Sequence, residues 1–231
     1  MARAPAALLK RIVDTYKNQR SDFEQLQGHI EASLRKLKAT CPEIHSYSSR
    51  IKDPASLRHK LERRWESLTV RRKQFDVTPD NVVRKINDLV GGRILHLHIN
   101  QFPMIDQAIR NVFDKMGCRI LNGGPEAKVW DPEYKRLFSN LGIRCVSKLS
   151  LYTSVHYEYE MPGRKPRLTC ELQVRTLAEE LWGATDHLIN YPRPCKLEAC
   201  REQILVLARA TSTCTRLVDS IMKAYAADEV K

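Results

Sequence analysis

The chain has 231 residues, of which 42% are hydrophobic, so it is long enough for one domain with a sizeable core. It has 39 Lys and Arg against 27 Asp and Glu, and the resulting net charge of +12 favours a polyanionic partner such as a nucleotide or a nucleic acid. No run of about 18 apolar residues and no apolar secretory segment is present, so we expect a cytoplasmic protein with no membrane partner.

Seven cysteines are scattered along the chain, and none of them forms a C-x-x-C pair. An odd number of cysteines without metal-binding spacing argues against both a disulfide framework and a zinc site. We therefore expect reduced thiols, with Cys118 and Cys170 buried in apolar, strand-like surroundings.

The first 44 residues are predicted to be helical. Apolar side chains recur every three to four positions from Leu8 to Thr40, the spacing of one or two amphipathic helices, and Pro42 ends the pattern. The apolar stripe favours core packing or an oligomer contact over a binding site.

A basic helix is predicted to begin at Asp53-Pro54, with Asp as the N-cap and Pro at the first helical position. The hydroxyl and basic side chains that share one face of this helix, or project from the extended segment before it, are Arg50, Lys52, Ser56, Lys60, Arg63 and Arg64. Such a face beside a helix N-terminus suits a triphosphate, and a solvated basic face is the alternative.

A turn and a strand are predicted from 87 to 100, with Leu95 and Leu97 on one face and His96 and His98 on the other. Two histidines at this spacing could ligate a metal, but no third ligand is suggested nearby, so packing or surface histidines are favoured. A helix over 104–116 and a short strand near 118–121 follow. The segment 122–147 is long for a connection, so we expect it to be functional, partly helical or mobile.

Two strands with one polar face each are predicted around 152–160 and 168–175, joined by a turn-rich segment. If they are hairpin neighbours, their polar faces merge into one surface. The polar side chains of that surface are Tyr152, Ser154, His156, Glu158, Thr169, Glu171, Gln173 and Arg175. This combination can hold a metal, a proton and a phosphate, whereas a solvated sheet face is the less favoured alternative.

Two further helices are predicted at the carboxyl-terminal end. The first spans 176–189 with Leu177, Leu181, Ala184 and Leu188 as its buried line, and the second spans 196–226 with Ile204, Leu207, Leu217 and Ile221 packed on the core. The whole chain is then a single domain, in which 1–44 and 195–231 are helical and 45–194 form the central core.

The chain resembles the synthetase domain of the RelA/SpoT alarmone synthetases, and its length is close to that of the stand-alone small alarmone synthetases. Four ordered motifs carry the resemblance: S-R-I-K at 49–52 with Ser56, Lys60 and Arg63 after it, D-L-V-G-G-R at 88–93, Y-T-S-V-H at 152–156, and E-L-Q-V-R-T at 171–176 followed by Trp182 and Asp186-His187. It implies an α+β fold, with a mixed sheet of nucleotidyltransferase type flanked by helices and with N- and C-terminal helical extensions.

The resemblance also implies an activity, the Mg²⁺-dependent transfer of pyrophosphate from ATP to the 3′-hydroxyl of GDP or GTP. Asp88 and Glu171 would carry the metal, and Glu171 would also take the hydroxyl proton. The implied ATP-binding residues are Arg50, Lys52, Ser56, Lys60, Arg63 and Arg93, with the first and last stacked on adenine. The implied acceptor-binding residues are Lys148, Tyr152, Ser154, His156, Gln173 and Arg175.

The sequence leaves the acceptor open. Leu151 and Thr153 flank Tyr152 where relatives usually have Gly and a basic residue, so a guanine preference does not follow from this motif. A pyrophosphotransferase acting on the tRNA 3′ end, or on an adenosine nucleotide, is one alternative. An inactive nucleotide- or RNA-binding module is another, although the presence of both Asp88 and Glu171 argues against it. The terminal helices could support an oligomer.

Overall fold

A computed structural model describes residues 4–147, 151–163 and 167–228. The helices are α1 (Ala6–Asn18), α2 (Arg20–Thr40), α3 (Pro54–Val70), α4 (Val82–Lys85), α5 (Phe102–Lys115), α6 (Pro132–Asn140), α7 (Leu177–Asn190) and α8 (Glu198–Asp228). The strands are β1 (Ser46–Ile51), β2 (Val90–His96), β3 (Arg119–Ile120), β4 (Glu126–Lys128), β5 (Arg144–Val146), β6 (Ser154–Glu160) and β7 (Thr169–Thr176). The predicted α+β fold with helices at both termini is confirmed.

The strands form one mixed sheet in the order β1-β2-β7-β6-β4-β5, with β3 paired to β6. The central pair β2 and β7 is parallel, whereas β1 and β6 run antiparallel to their inner neighbours. The predicted hairpin of two polar strands is confirmed, because β6 pairs with β7 and sets His156 opposite Gln173. The polar side chains of both strands therefore share one face of the sheet.

The other face of the sheet is the hydrophobic core, and the N-terminal helices cover it. A Cβ atom on Gly92 would lie 2.9 Å from Leu172 Cδ1 and 3.2 Å from Leu34 Cδ1, so only glycine lets α2 approach β2 and β7 this closely. The rings of Phe113 on α5 and Tyr159 on β6 stack on the same face with centroids 4.2 Å apart. The predicted apolar stripe of residues 8–40 is thus one layer of the core.

The predicted start of α3 is confirmed. Pro54 is its first residue, and the Asp53 carboxylate accepts a hydrogen bond from the Ser56 backbone N–H at 2.9 Å, a cap that stabilises a helix by about 1 kcal/mol. Leu57 and Leu61 are fully buried on one side of the helix. This packing leaves the basic side of α3 turned toward the polar face of the sheet.

The predicted alternation of the histidine strand is confirmed, and His96 is a packing histidine, because it takes the buried face and the leucines take the other. His96 is 1% exposed and lies on the core side with Ile94, whereas Leu97 is 41% exposed just beyond the end of β2. Burial lowers the pKa of His96 to about 4, so its imidazole is neutral, and its Nδ1 lies 3.0 Å from the His98 carbonyl oxygen. Among the described residues no group of three His, Cys, Asp or Glu side chains could hold a metal ion.

The predicted buried line of α7 was wrong, and that of α8 was right only for Ile204, which is 6% exposed, and for the partly buried Leu207. Leu181 and Leu188 of α7 are 59% and 84% exposed, and Leu217 and Ile221 of α8 are exposed as well. Trp182 sets the orientation instead, because it is buried and its Nε1 donates a hydrogen bond to the Ile204 carbonyl oxygen at 2.9 Å. Burial of the Trp182 ring together with the hydrogen bond of its N–H group determines which side of α7 faces inward.

The segment 122–147 is partly helical, as expected, since it contains β4, α6 and β5. Asp131 caps α6 by accepting a hydrogen bond from the Glu133 backbone N–H, and it also pairs with Arg216 of α8. All seven cysteines are free, and Cys118 and Cys170 are buried as predicted. No helix in the described parts of the chain is long and apolar enough to cross a membrane.

Glu179 is an uncompensated acid in the first turn of α7. It is 1% exposed, and neither carboxylate oxygen has a hydrogen-bond partner. Burial raises the pKa of this carboxyl from 4.5 to about 8, although the charge of Arg175 opposes the shift. The folded protein therefore keeps a proton that the unfolded chain releases near pH 4.5.

Replacing Glu179 by Gln should stabilise the protein increasingly as pH rises. Below about pH 4 both states of the wild type are mostly protonated, so the variant should gain little. Between about pH 4.5 and 8 the unfolded state has lost its proton and the folded state keeps it, so wild-type stability falls while that of the uncharged variant is unaffected. We expect a difference of about 2 to 4 kcal/mol at pH 9. Urea unfolding of the wild type and the variant at about pH 4 and about pH 9 measures this difference in the free energy of unfolding.

Glu66→Gln is the matched control, because Glu66 is exposed on α3 and the same change there should leave the pH profile as it is. A difference between Glu179→Gln and the wild type that stays constant from about pH 5 to 9 would contradict a buried, protonated Glu179.

Candidate functional site

A cleft with two adjoining parts opens on the polar face of the sheet. Its inner part is lined by Ser48, Ser49, Arg50, Asp88, Gly91, Gly92, Arg93, Glu171 and Gln173. Its outer part, with a volume of about 770 Å³, is lined by Arg50, Arg93, Lys128, Tyr152, Gln173, Arg175, Glu180, Trp182, Gly183, Ala184, Asp186, His187 and Leu188. Arg50, Arg93 and Gln173 line both parts, so the two parts are direct neighbours.

Two lysines hold Asp88 in the inner part of the cleft. Lys52 Nζ lies 2.9 Å from Asp88 Oδ2, and Lys60 Nζ lies 2.7 Å from Oδ1. Burial would raise the pKa of Asp88, but the charges of Lys60 and Lys52 outweigh it and the pKa is lowered. The carboxylate is therefore ionised. It draws together two cations, Lys60 from α3 and Lys52 from the segment before that helix.

Glu171 is the second carboxylate of the inner part, and side chains of the sheet surround it. His156 Nδ1 lies 3.0 Å from Glu171 Oε1, and Gln173 Nε2 donates a hydrogen bond to the same oxygen at 2.5 Å. Burial would raise the pKa of Glu171, but the hydrogen bond and charge of His156 lower it far below its usual range. Glu171 is thus ionised at neutral pH.

The donor set of the inner part fits Mg²⁺. Asp88 and Glu171 line the same space, and Mg²⁺ is commonly held by one or two carboxylates together with substrate phosphates and waters. A cluster of three protein ligands, which a structural zinc site would need, is not required for this ion. Asp88 and Glu171 are the residues that would hold it.

Arg50 and Arg93 come from neighbouring strands and project into the cleft from the same face. In the β1–β2 pairing Arg50 lies opposite Gly91, and Arg93 lies opposite Ser48. The Arg50 side chain lies across Gly91, because a Cβ atom on Gly91 would be 3.9 Å from Arg50 Cγ, an ordinary contact distance. Two guanidinium planes two positions apart could enclose a flat ring between them.

Tyr152 anchors the outer part. Its ring centroid lies 5.7 Å from that of Trp182, and Arg175 Cζ lies 5.9 Å from the Tyr152 centroid. Its hydroxyl is 3.4 Å from His156 Nε2. Tyr152 therefore links the aromatic wall of the cleft to the imidazole that holds Glu171, and Arg175 adds a cation beside it.

The remaining predicted site residues lie elsewhere or outside the described residues. Arg63 packs over the Tyr191 ring at 5.0 Å, and the Tyr191 hydroxyl donates a hydrogen bond to the Ser56 carbonyl oxygen, so these residues join α3 to the end of α7 at the rim of the cleft. Ser154 is 1% exposed and its hydroxyl bonds the Val174 carbonyl oxygen, so the structure does not bring it into the cleft. Lys148 is outside the described residues.

Sequence reasoning missed two charged residues of the outer part. Glu180 on α7 lies 2.5 Å from Arg93 and also pairs with Arg175. Lys128 on β4 has its Nζ 3.3 Å from His156 Nδ1. An acid in the first turn of a helix is ordinarily explained by the helix dipole, and a lysine in a long connection gives no periodic signal, so neither residue stood out.

Comparison with known proteins assigns the family. A family model described as "Region found in RelA / SpoT proteins" matches residues 49–195. The chain belongs to the RelA/SpoT family. The predicted family is confirmed, and with it the enzyme class, a pyrophosphotransferase. A comparison with curated proteins found no match.

Several solved structures share the fold. The small alarmone synthetase 1 from Bacillus subtilis bound to its product pppGpp superposes with a TM-score of 0.60 at 18% identity, covering 90% of this chain and 95% of that one. The same protein bound to AMPCPP gives a TM-score of 0.59 at 14% identity, covering 91% and 97%. A GTP pyrophosphokinase family protein from Streptococcus pneumoniae gives 0.59 at 16% identity, covering 94% and 93%.

Proposed function

We propose that this RelA/SpoT-type enzyme transfers the β,γ-pyrophosphate of ATP to the 3′-hydroxyl of GDP or GTP, leaving AMP and (p)ppGpp. The observation that carries the proposal is the placement of two ionised carboxylates, Asp88 and Glu171, in one cleft between a lysine pair and an arginine pair. That the similar small alarmone synthetase 1 was solved with AMPCPP and with pppGpp supports nucleotides of both kinds as ligands of this cleft.

The phosphates of ATP would lie at the inner part, beside Asp88 and Glu171. The adenine would stack between Arg50 and Arg93, the two guanidiniums of neighbouring strands. Lys52 and Lys60 lie where they can exchange Asp88 for phosphate oxygens, with Ser56 and Arg63 on the same helix completing the proposed ATP site. The N-terminal end of α3 adds a favourable dipole for the phosphates.

The acceptor would occupy the outer part, whose volume of about 770 Å³ is that of a small-molecule pocket. Its base would stack on Tyr152, and His156, Gln173 and Arg175 would position its ribose and phosphates. We retain Lys148 as a proposed acceptor contact. The buried Ser154 is better explained as support for β6, because its hydroxyl is hydrogen-bonded to the neighbouring strand.

The proposed reaction is an in-line displacement at phosphorus. The acceptor 3′-oxygen bonds to the β-phosphorus of ATP, the bond from that phosphorus to the α,β-bridging oxygen breaks, and AMP departs with the bonding electrons. Glu171, ionised in the free protein, accepts the hydroxyl proton. Mg²⁺ held by Asp88 and Glu171 would supply neutralisation of the phosphate charge. The lysines and arginines stabilise the remaining negative charge.

Glu171→Gln and Asp88→Asn should each abolish transfer while leaving the fold intact, because each removes one negative charge with little change in shape. We expect the rate to fall by a factor of about 100 or more. Release of AMP from labelled ATP in the presence of GDP measures it, circular dichroism checks the fold, and the exposed Glu66→Gln serves as control. A folded variant with near-normal turnover would contradict the assignment.

Arg93→Lys should weaken ATP binding although the charge is kept, since an ammonium group cannot stack on adenine as a guanidinium plane does. Arg50→Lys should behave alike. Calorimetric titration of either variant with an ATP analogue should show an affinity loss of about tenfold. Equal affinity of Arg93→Lys and the wild type would place the adenine elsewhere.

Tyr152→Ala should remove GDP binding, whereas charge reversal of the exposed residues Arg71, Arg72 and Lys73 should leave it nearly unchanged. A tRNA acceptor would reverse this pattern, because many phosphate contacts make binding depend steeply on salt and on surface charge. Titrations with GDP and with deacylated tRNA at two salt concentrations separate the outcomes. Modification of tRNA with no product from GDP or GTP would refute a guanosine acceptor.

A further inference from the structure

One carboxylate of the outer part of the cleft pairs with two arginines, of which Arg93 also lines the inner part and Arg175 lines the outer part alone. Glu180 Oε1 lies 2.5 Å from Arg93 Nη1 on β2, and its other oxygen forms an ion pair with Arg175 Nη2 on β7. The Glu180 side chain is 23% exposed and that of Arg175 only 5%, so solvent screens these contacts weakly. Each arginine therefore pairs with one oxygen of Glu180, although the carboxylate could give both of its oxygens to either arginine.

The two arginines repel each other without Glu180. Burial lowers the pKa of the Arg93 guanidinium, the charge of Arg175 lowers it further, and the charge of Glu180 acts in the opposite direction. Two guanidiniums that share one carboxylate are not independent, because a change in the position of one alters how much negative charge is left for the other.

Arg175 has little freedom to adjust by itself. A Cβ added to Gly183, one turn after Glu180 on α7, would lie 2.5 Å from Arg175 Nη1. The same nitrogen donates a hydrogen bond to the Tyr152 hydroxyl at 3.5 Å, and the guanidinium carbon lies 5.9 Å from the centroid of the Tyr152 ring. The Arg175 side chain therefore cannot move to a new partner. It changes partner only when Glu180 moves or when another anion binds to it.

From this arrangement we propose that Glu180 is a positioning residue that couples the two nucleotide subsites, so that occupation of one tightens binding at the other. When an acceptor phosphate pairs with Arg175, Glu180 can form a bidentate ion pair with Arg93. This pair fixes the plane of the Arg93 guanidinium for stacking on adenine. When stacking fixes Arg93 first, Arg175 is released to the acceptor. Linkage requires the two effects to be equal.

The inference rests on the proposed function, and one calorimetric experiment tests the two separately. GDP is titrated into the wild-type protein in Mg²⁺ buffer with and without saturating α,β-methylene ATP. We expect GDP to bind about fivefold or more tightly when the ATP analogue is present. In Glu180→Gln the factor should fall below about two, while each nucleotide alone still binds.

Two further variants sharpen the test. Glu180→Asp keeps the charge but is one methylene shorter, so it can reach only one arginine and should also lose the coupling. Glu133→Gln removes a carboxylate from a remote ion pair with Arg216 and should keep it. If Glu180→Gln does not fold by circular dichroism, the Asp variant decides.

The outcomes are distinct. Failure of the wild type to bind either nucleotide overturns the proposed function and the coupling together. Binding of both nucleotides with no mutual effect, or full coupling retained in both Glu180 variants, overturns the coupling alone and leaves the proposed function intact.

Discussion

The parallel pairing of β2 with β7 is the constraint on which the cleft depends. Its register sets Gly91 opposite Glu171 and Arg93 opposite Gln173, so a glycine-containing strand and an acidic strand present their polar sides to one space. Parallel strands cannot be joined by a tight turn, so the chain between them must leave the sheet and return. That excursion builds α5, which packs on the core face, and β6, which pairs with β7 beside the cleft.

The cleft is balanced by pairing charges that are partly buried. Lys52 and Lys60 neutralise Asp88, His156 and Gln173 hold Glu171, and Glu180 is shared by two arginines. Burying any of these ions alone would cost several kcal/mol, so each exists only with its partner. Under the proposed function, a substrate phosphate or a metal would enter by exchanging one of these partners for another, so the site can stay folded before the ligand arrives.

Much of the fold and part of the site could be predicted because the signals are local. Alternation along β7 identified Glu171 and Gln173, and Asp53-Pro54 marked the start of α3. Where local pattern failed, a long-range contact had overridden it. Leu181 and Leu188 were expected to be buried, but anchoring of Trp182 on α8 turned that face of α7 to solvent.

The sequence by itself determined the family, the strand and helix periods, and the residue types that the chemistry needs, since motifs and periodicity are properties of neighbouring positions. Only the tertiary structure decided which of those residues meet. Glu180 reaches both Arg93 and Arg175, while Ser154 is enclosed within the sheet, although nothing in the motif separates it from His156. Strand order and register set these contacts, and they depend on pairings between segments far apart in the chain.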